Sequence, residues 1–132
     1  MGDRRENEAL ARRAVDAVVN RDVATLQDCM HPEIVWNETG PTNPLAGRYD
    51  GMGEVLSFFA RVFEVGGDSF TVEAHDVLAS DDHAVLLVHE RGQRGSRVLS
   101  APGIYVLHFR DGKVSEGWNY SGDPAAHDEF WA

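Results

Sequence analysis

Proton chemistry near neutral pH needs a histidine, a carboxylate or a phenol held away from bulk water, and this sequence offers a few candidates. His89 lies midway along the apolar run Leu87-Val88-His89-Glu90, where a pocket histidine of ordinary pKa about 6.5 could exchange protons. The rival reading is a histidine satisfied within a strand. Glu38 adds a carboxylate at the end of a short apolar segment, and a solvated loop acid is its rival. The six histidines, His31, His75, His83, His89, His108 and His127, show no His-x-His or His-Glu-x-x-His spacing, so no metal site is expected. Glycine-rich phosphate loops and nucleophile elbows are also missing, and no cofactor is expected. The single cysteine, Cys29, falls within a helical pattern and reads as a packed core thiol.

The aromatic residues bear on substrate binding. Trp36 and Trp118 each sit in a strand beside a polar residue, and Phe58, Phe59 and Phe63 fall on one helical face. Any of them could wall an apolar ligand or simply fill the core.

These residues need a scaffold, and its elements are legible in the periodicity. Leu10, Ala14, Ala17 and Val18 mark one face of a helix over residues 6–20. Asp22 caps a second short helix with Val23, Leu26 and Met30 inward, and His31-Pro32 ends it. Residues 33–37 read as a short strand, followed by a turn-rich loop through Gly47. A third helix covers residues 51–64 and stops at Gly66-Gly67. Four strands follow, over residues 69–78, 83–91, 97–110 and 113–120, with turns at Ser80-Asp81-Asp82, Gly92 to Gly95 and Asp111-Gly112. Asp123-Pro124 starts a short C-terminal helix. Helices first and antiparallel strands afterwards read as α+β, one domain over residues 1–132.

Composition narrows the partners. An apolar fraction of 42% with 26% charged residues is that of an ordinary globular protein. A net charge of −10 without a basic stripe argues against nucleic acid. No stretch suffices to span a bilayer, and the first residues, with Arg4, Arg5 and Glu6, lack the apolar core of a signal peptide. A cytoplasmic protein with no membrane partner is the expectation.

Element order and motifs together resemble the SnoaL-like polyketide cyclases and ketosteroid isomerases of the nuclear-transport-factor-2-like fold. The resemblance is carried by Val35-Trp36-Asn37, Asn43-Pro44-Leu45-Ala46-Gly47, Tyr49-Asp50-Gly51 and Val55-Leu56-Ser57-Phe58-Phe59. Ala101-Pro102-Gly103-Ile104-Tyr105-Val106, Phe109-Arg110-Asp111-Gly112-Lys113-Val114 and the ending Trp118-Asn119-Tyr120 to Trp131 extend it. It implies a cone-shaped, curved, mixed or antiparallel sheet, packed by about three N-terminal helices around a central pocket. It also implies a small-molecule ligand and a homodimer.

By the same resemblance, the general-base position falls on Asn37, the oxyanion donor on Tyr105, and a second acid position on Asn119. An amide cannot take a proton near pH 7. The expected site therefore comprises Tyr105, Asn37 and Asn119, with His89 or Glu38 moving the proton and Trp36, Phe58, Phe59, Phe63 and Trp118 around the substrate. Three readings stand: cofactor-free isomerisation, cyclisation or hydration of a polyketide-like carbonyl compound; a binding protein without chemistry; and an epoxide-hydrolase-like activity.

Overall fold

The computed structural model describes residues 3–40 and 42–132. Helix α1 spans Arg4–Val19, α2 Val23–Cys29 and α3 Gly51–Gly66; strand β1 is Met30–Glu38 and β2 Gly47–Asp50. Then come β3 (Thr71–Ala79), β4 (His83–Arg94), β5 (Arg97–Arg110), β6 (Lys113–Ser121) and α4 (Pro124–Trp131). The six strands form one mixed sheet in the order β2-β1-β6-β5-β4-β3. Only the β1–β6 pair is parallel; the others are antiparallel. This is the expected α+β architecture of a curved, cone-shaped sheet with helices across its concave face.

The helix ends obey the capping chemistry visible in the sequence. Asp3 accepts from the backbone N–H groups of Arg5 and Glu6, Asp22 from that of Thr25, and Asp123 from that of Ala126. The buried stripe of α1 is Asn7, Ala11 and Val15 with Ala17, rotated from the expected one, which leaves Leu10 half-buried.

Three boundaries differ from expectation. First, α2 stops at Cys29, and Met30 already pairs with Val114 of β6. His31-Pro32 lies inside β1, where the register shifts between Met30 and Val35, an irregular stretch in which a proline N is not needed by the ladder. Second, the turn-rich loop leads at Gly47 into β2, an unexpected four-residue edge strand pairing Tyr49 with Trp36. Third, Gly92 is no turn residue. β4 continues to Arg94, and the turn is made at Gly95, with φ 61°. At Gly92 a Cβ would stand 2.6 Å from Cζ of Phe130, so the glycine lets the α4 ring lie on the strand.

The core occupies the concave face, between the sheet and α1, α3 and α4. Strand alternation places Ile34 and Trp36 of β1, Leu86 and Val88 of β4, and Leu99, Ala101 and Leu107 of β5 there. Gly117 of β6 makes room for Trp36, its register partner, whose Cζ3 lies 2.4 Å from where a Cβ would be.

Candidate functional site

The inward rows of the sheet line a cavity of about 80 Å³ whose walls are almost wholly apolar. Trp36, Phe58 and Phe59 pack against one another over it, with Trp36 and Phe59 ring centroids 5.4 Å apart and the Tyr105 ring edge-on to Trp36 at 6.3 Å. Four polar residues meet the same cavity: Glu38, Glu90, Tyr105 and Asn119. No lysine or arginine lines it among the described residues.

Alternation along β1 decides which residue faces in. Ile34, Trp36 and Glu38 are buried, so Asn37 between them points to the convex face. There its Nδ2 donates to Glu116 Oε2 at 3.0 Å and to the Gly117 carbonyl at 3.1 Å. It is therefore Glu38, a carboxylate only 8% exposed, and not the amide of Asn37, that faces the cavity. It is well supplied with donors. Trp36 Nε1 donates to Oε1 at 3.0 Å, and Asn119 Nδ2 donates to Oε2 at 2.9 Å. Asn119 is the direct partner of Glu38 across the parallel β1–β6 pair.

The same rule applied to β4 removes His89 from the pocket and supplies Glu90. His89 shares its outer face with Ser100, whose Oγ is 2.9 Å from Nε2. Glu90, 3% exposed, accepts from the Tyr105 hydroxyl at 2.5 Å. Burial raises the Glu90 pKa, and the neighbouring Glu38 adds to the rise against the opposing pull of Tyr105 and His127. Burial and the Glu90 carboxylate likewise hold the Tyr105 hydroxyl well above an ordinary phenol.

A fifth polar member comes from α4 and was not foreseen. His127 is 1% exposed, and its Nε2 stands 3.4 Å from Glu38 Oε2 and 4.0 Å from Glu90 Oε1. Burial works to lower its pKa, but the contact with Glu38 and the charges of Glu38, Glu90 and Asp128 outweigh this and raise it. Asp123 and Pro124 start the helix that carries it, and Phe130 on Gly92 and Trp131 against Phe70 anchor it. Asn43 ties the β1–β2 loop to the same helix, donating from Nδ2 to Asp128 at 2.7 Å.

Of the remaining expected residues, Tyr105, Asn119, Trp36, Phe58 and Phe59 meet the cavity, whereas Phe63 and Trp118 do not. Phe63 is half-buried beneath the Arg21 guanidinium, 5.4 Å from its ring centroid. Trp118 alternates with the inward Gly117 and Asn119, so it packs on the convex face against His108, centroids 4.7 Å apart.

Fold and site thus define a pocketed α+β cone with two buried carboxylates at one end of an apolar cavity. The SnoaL-like domain model matches residues 11–117, and the chain belongs to that family. It is 28% identical to an uncharacterized protein of Mycobacterium tuberculosis over 93% of this chain and 94% of the relative. Among solved structures it superposes on Bal32a, from a soil-derived mobile gene cassette, with TM-score 0.92 and 27% identity over 97% of this chain and 98% of that one. A Xanthomonas campestris protein of unknown function with a cystatin-like fold gives TM-score 0.88 and 28% identity, covering 94% of this chain and 96% of its own.

Proposed function

We propose that the protein is a cofactor-free enzyme that moves a proton on a small carbonyl compound, with Glu38 as general base and Tyr105, backed by Glu90, as oxyanion donor. The observation that carries this reading is the unequal treatment of two carboxylates in one largely apolar cavity. Glu38 receives two N–H donors suited to a charged carboxylate, whereas desolvation drives Glu90 toward its neutral form. Such divergence between paired acids is how a site assigns base and acid roles.

In this reading Glu38 takes a proton from the carbon next to the carbonyl, and the electron pair moves to the oxygen as an enolate. A proton on Glu90 lets that acid donate to the phenolic oxygen of Tyr105, which frees the phenol O–H to meet the enolate. Glu38 then returns its proton, to the same carbon or to another. His127 holds the pair from behind as a positioning residue, touching both carboxylates but not lining the cavity. Isomerisation needs nothing further, and cyclisation or hydration would use the same enolate. A volume of about 80 Å³ is well below the roughly 300–1,000 Å³ of pockets for larger ligands, which favours a small carbonyl compound over a fused polyketide.

The test uses 2-butanone in D2O, with loss of its α-proton signals followed by NMR. Catalysed exchange that falls about 100-fold or more in Glu38→Gln supports the reading. Undiminished exchange in that variant, or none in the wild type, rejects it and leaves a binding protein. Placement of Glu38 beside Asn119 also gives the epoxide-hydrolase-like reading a carboxylate to orient water, and diol formation from an epoxide probe tests it.

We further propose a homodimer formed through the convex face of the sheet. Val85, Leu87, Ile104, Val106, Trp118 and Tyr120 form a contiguous patch there by register, with Ile104 42% and Tyr120 46% exposed. Ile104→Glu should turn a dimer into a monomer in light scattering; an unchanged mass would reject this interface. No helix among the described residues is long and apolar enough to cross a membrane. The acidic charge and the free buried thiol of Cys29 support a reducing cytoplasm as its location.

A further inference from the structure

The donors that Trp36, Asn119 and Tyr105 turn toward the cavity are already committed to a carboxylate. Trp36 Nε1 and Asn119 Nδ2 donate to Glu38, and the Tyr105 hydroxyl donates to Glu90. A proton on Glu90 releases only the last of these. An acceptor is what the site leaves unused: Asn119 Oδ1 is fully buried with no hydrogen-bond partner, in a residue 5% exposed that faces the cavity. The orientation of this amide follows from its contact, since the end of Asn119 that meets Glu38 Oε2 at 2.9 Å is the NH2 group. An unpaired buried acceptor is costly, and native proteins seldom leave one without a purpose.

We propose that Asn119 Oδ1 receives a hydroxyl of the substrate, so that the enzyme prefers small hydroxyketones to simple ketones. Asn119 and Tyr105 are register partners on β6 and β5, both turned inward, which lets one ligand meet the amide and the phenol together. The carbonyl oxygen takes the Tyr105 O–H, and a hydroxyl on a nearby carbon donates to Asn119. Carboxylate or phosphate groups are excluded by Glu38 and Glu90 and by the lack of a cation along the wall among the described residues. The apolar remainder of the ligand lies against Trp36, Phe58 and Phe59, and the cavity volume keeps it short.

This inference rests on the proton-transfer reading for the place of the carbonyl, but its test is separate. Binding of 2-butanone, 3-hydroxy-2-butanone and 4-hydroxy-2-butanone to the full chain is measured by NMR chemical-shift titration. The expected result is that at least one hydroxyketone binds about tenfold more tightly than 2-butanone, as a new buried hydrogen bond supplies. That preference should shrink to within about twofold in Asn119→Ala, whose comparison is between ligands, so a general weakening does not matter. Equal binding of all three by the wild type overturns the proposal, even if the variant fails to fold. A preference unchanged in Asn119→Ala overturns it too. Equal binding with 2-butanone exchange intact removes only the hydroxyl contact. A clear hydroxyketone preference without α-proton exchange in any of the three removes the base role of Glu38 and leaves Asn119 as a recognition residue.

Discussion

His127 Nε2 lies 3.4 Å from Glu38 Oε2 and 4.0 Å from Glu90 Oε1, so one imidazole from α4 is shared unequally between the two buried acids of the sheet. Neither carboxylate has a lysine or arginine partner among the described contacts, and the histidine is the one group there able to carry positive charge. Its pKa is raised on balance, despite the burial that opposes it.

That rise makes stability depend on pH in a defined direction. A histidine whose folded pKa exceeds its unfolded value of about 6.5 holds its proton more tightly in the native state. Its contribution is complete below about pH 6.5 and is lost as pH rises through the higher folded value. Urea midpoints of the wild type should therefore fall between neutral and mildly alkaline pH, and His127→Gln should flatten that decline. A parallel decline in the variant would show that other groups carry it.

Glu90 gives a second slope of the same sign in a lower window. Its folded pKa is raised, chiefly by burial, so the native state binds more protons than the unfolded chain from about pH 4.3 upward. The ionised form is the costly one, and stability falls as pH climbs toward the folded value. Glu90→Gln keeps an acceptor for Tyr105 without the charge. It should be more stable than the wild type at pH 7 relative to pH 4, read from denaturant midpoints at the two values. A difference of the opposite sign would place the burden of burial elsewhere.

His89 and Asn37 supply the converse expectation, because both side chains lie on the convex face. His89→Ala and Asn37→Ala should leave ketone exchange within about twofold of the wild type, whereas Tyr105→Phe should slow it about 100-fold by removing the oxyanion donor. Loss of exchange in His89→Ala would return that histidine to the mechanism.

Those two residues also show how far the sequence could be read. Helices, the long strands and the C-terminal cap follow from period and capping residues. Which face of each strand meets the cavity does not follow from the presence of a polar residue near its end. Trp36 and Asn37 cannot both face inward, and the apolar Ile34 and Trp36 fix Glu38 as the next inward position. The same count along Leu86 and Val88 reaches Glu90 and passes over His89. His127 shares a helical face with Phe130 and Trp131, at three and four residues' distance, which is the signal by which it could have been found. β2 was hidden because its four residues are mostly exposed and carry no alternation; only Tyr49 turns toward the core. Gly92 looked like a turn because a glycine needed for close approach and one needed for a bend are the same letter.

Gly92 provides the remaining prediction. The Phe130 ring rests where its Cβ would be, 2.6 Å away, so in Gly92→Ala the ring must give way, and α4 should move with it. Overpacking of this kind costs about 1–3 kcal/mol. The displacement should reach His127, three residues before Phe130 on the same helix, and lengthen its contacts with both acids. Two measurements separate this from simple destabilisation. The denaturation midpoint reports the packing cost, and the His127 imidazole titration by NMR reports the coupling, with its pKa falling as the acids recede. Gly95→Ala serves as the control: it strains a turn at φ 61° with nothing within 4 Å of the added Cβ, and should cost stability without moving the His127 titration. A Gly92→Ala protein that loses stability while His127 titrates unchanged would mean that α4 is held over the site by the contacts of Trp131 and Arg94, not by the seat of Phe130 on β4.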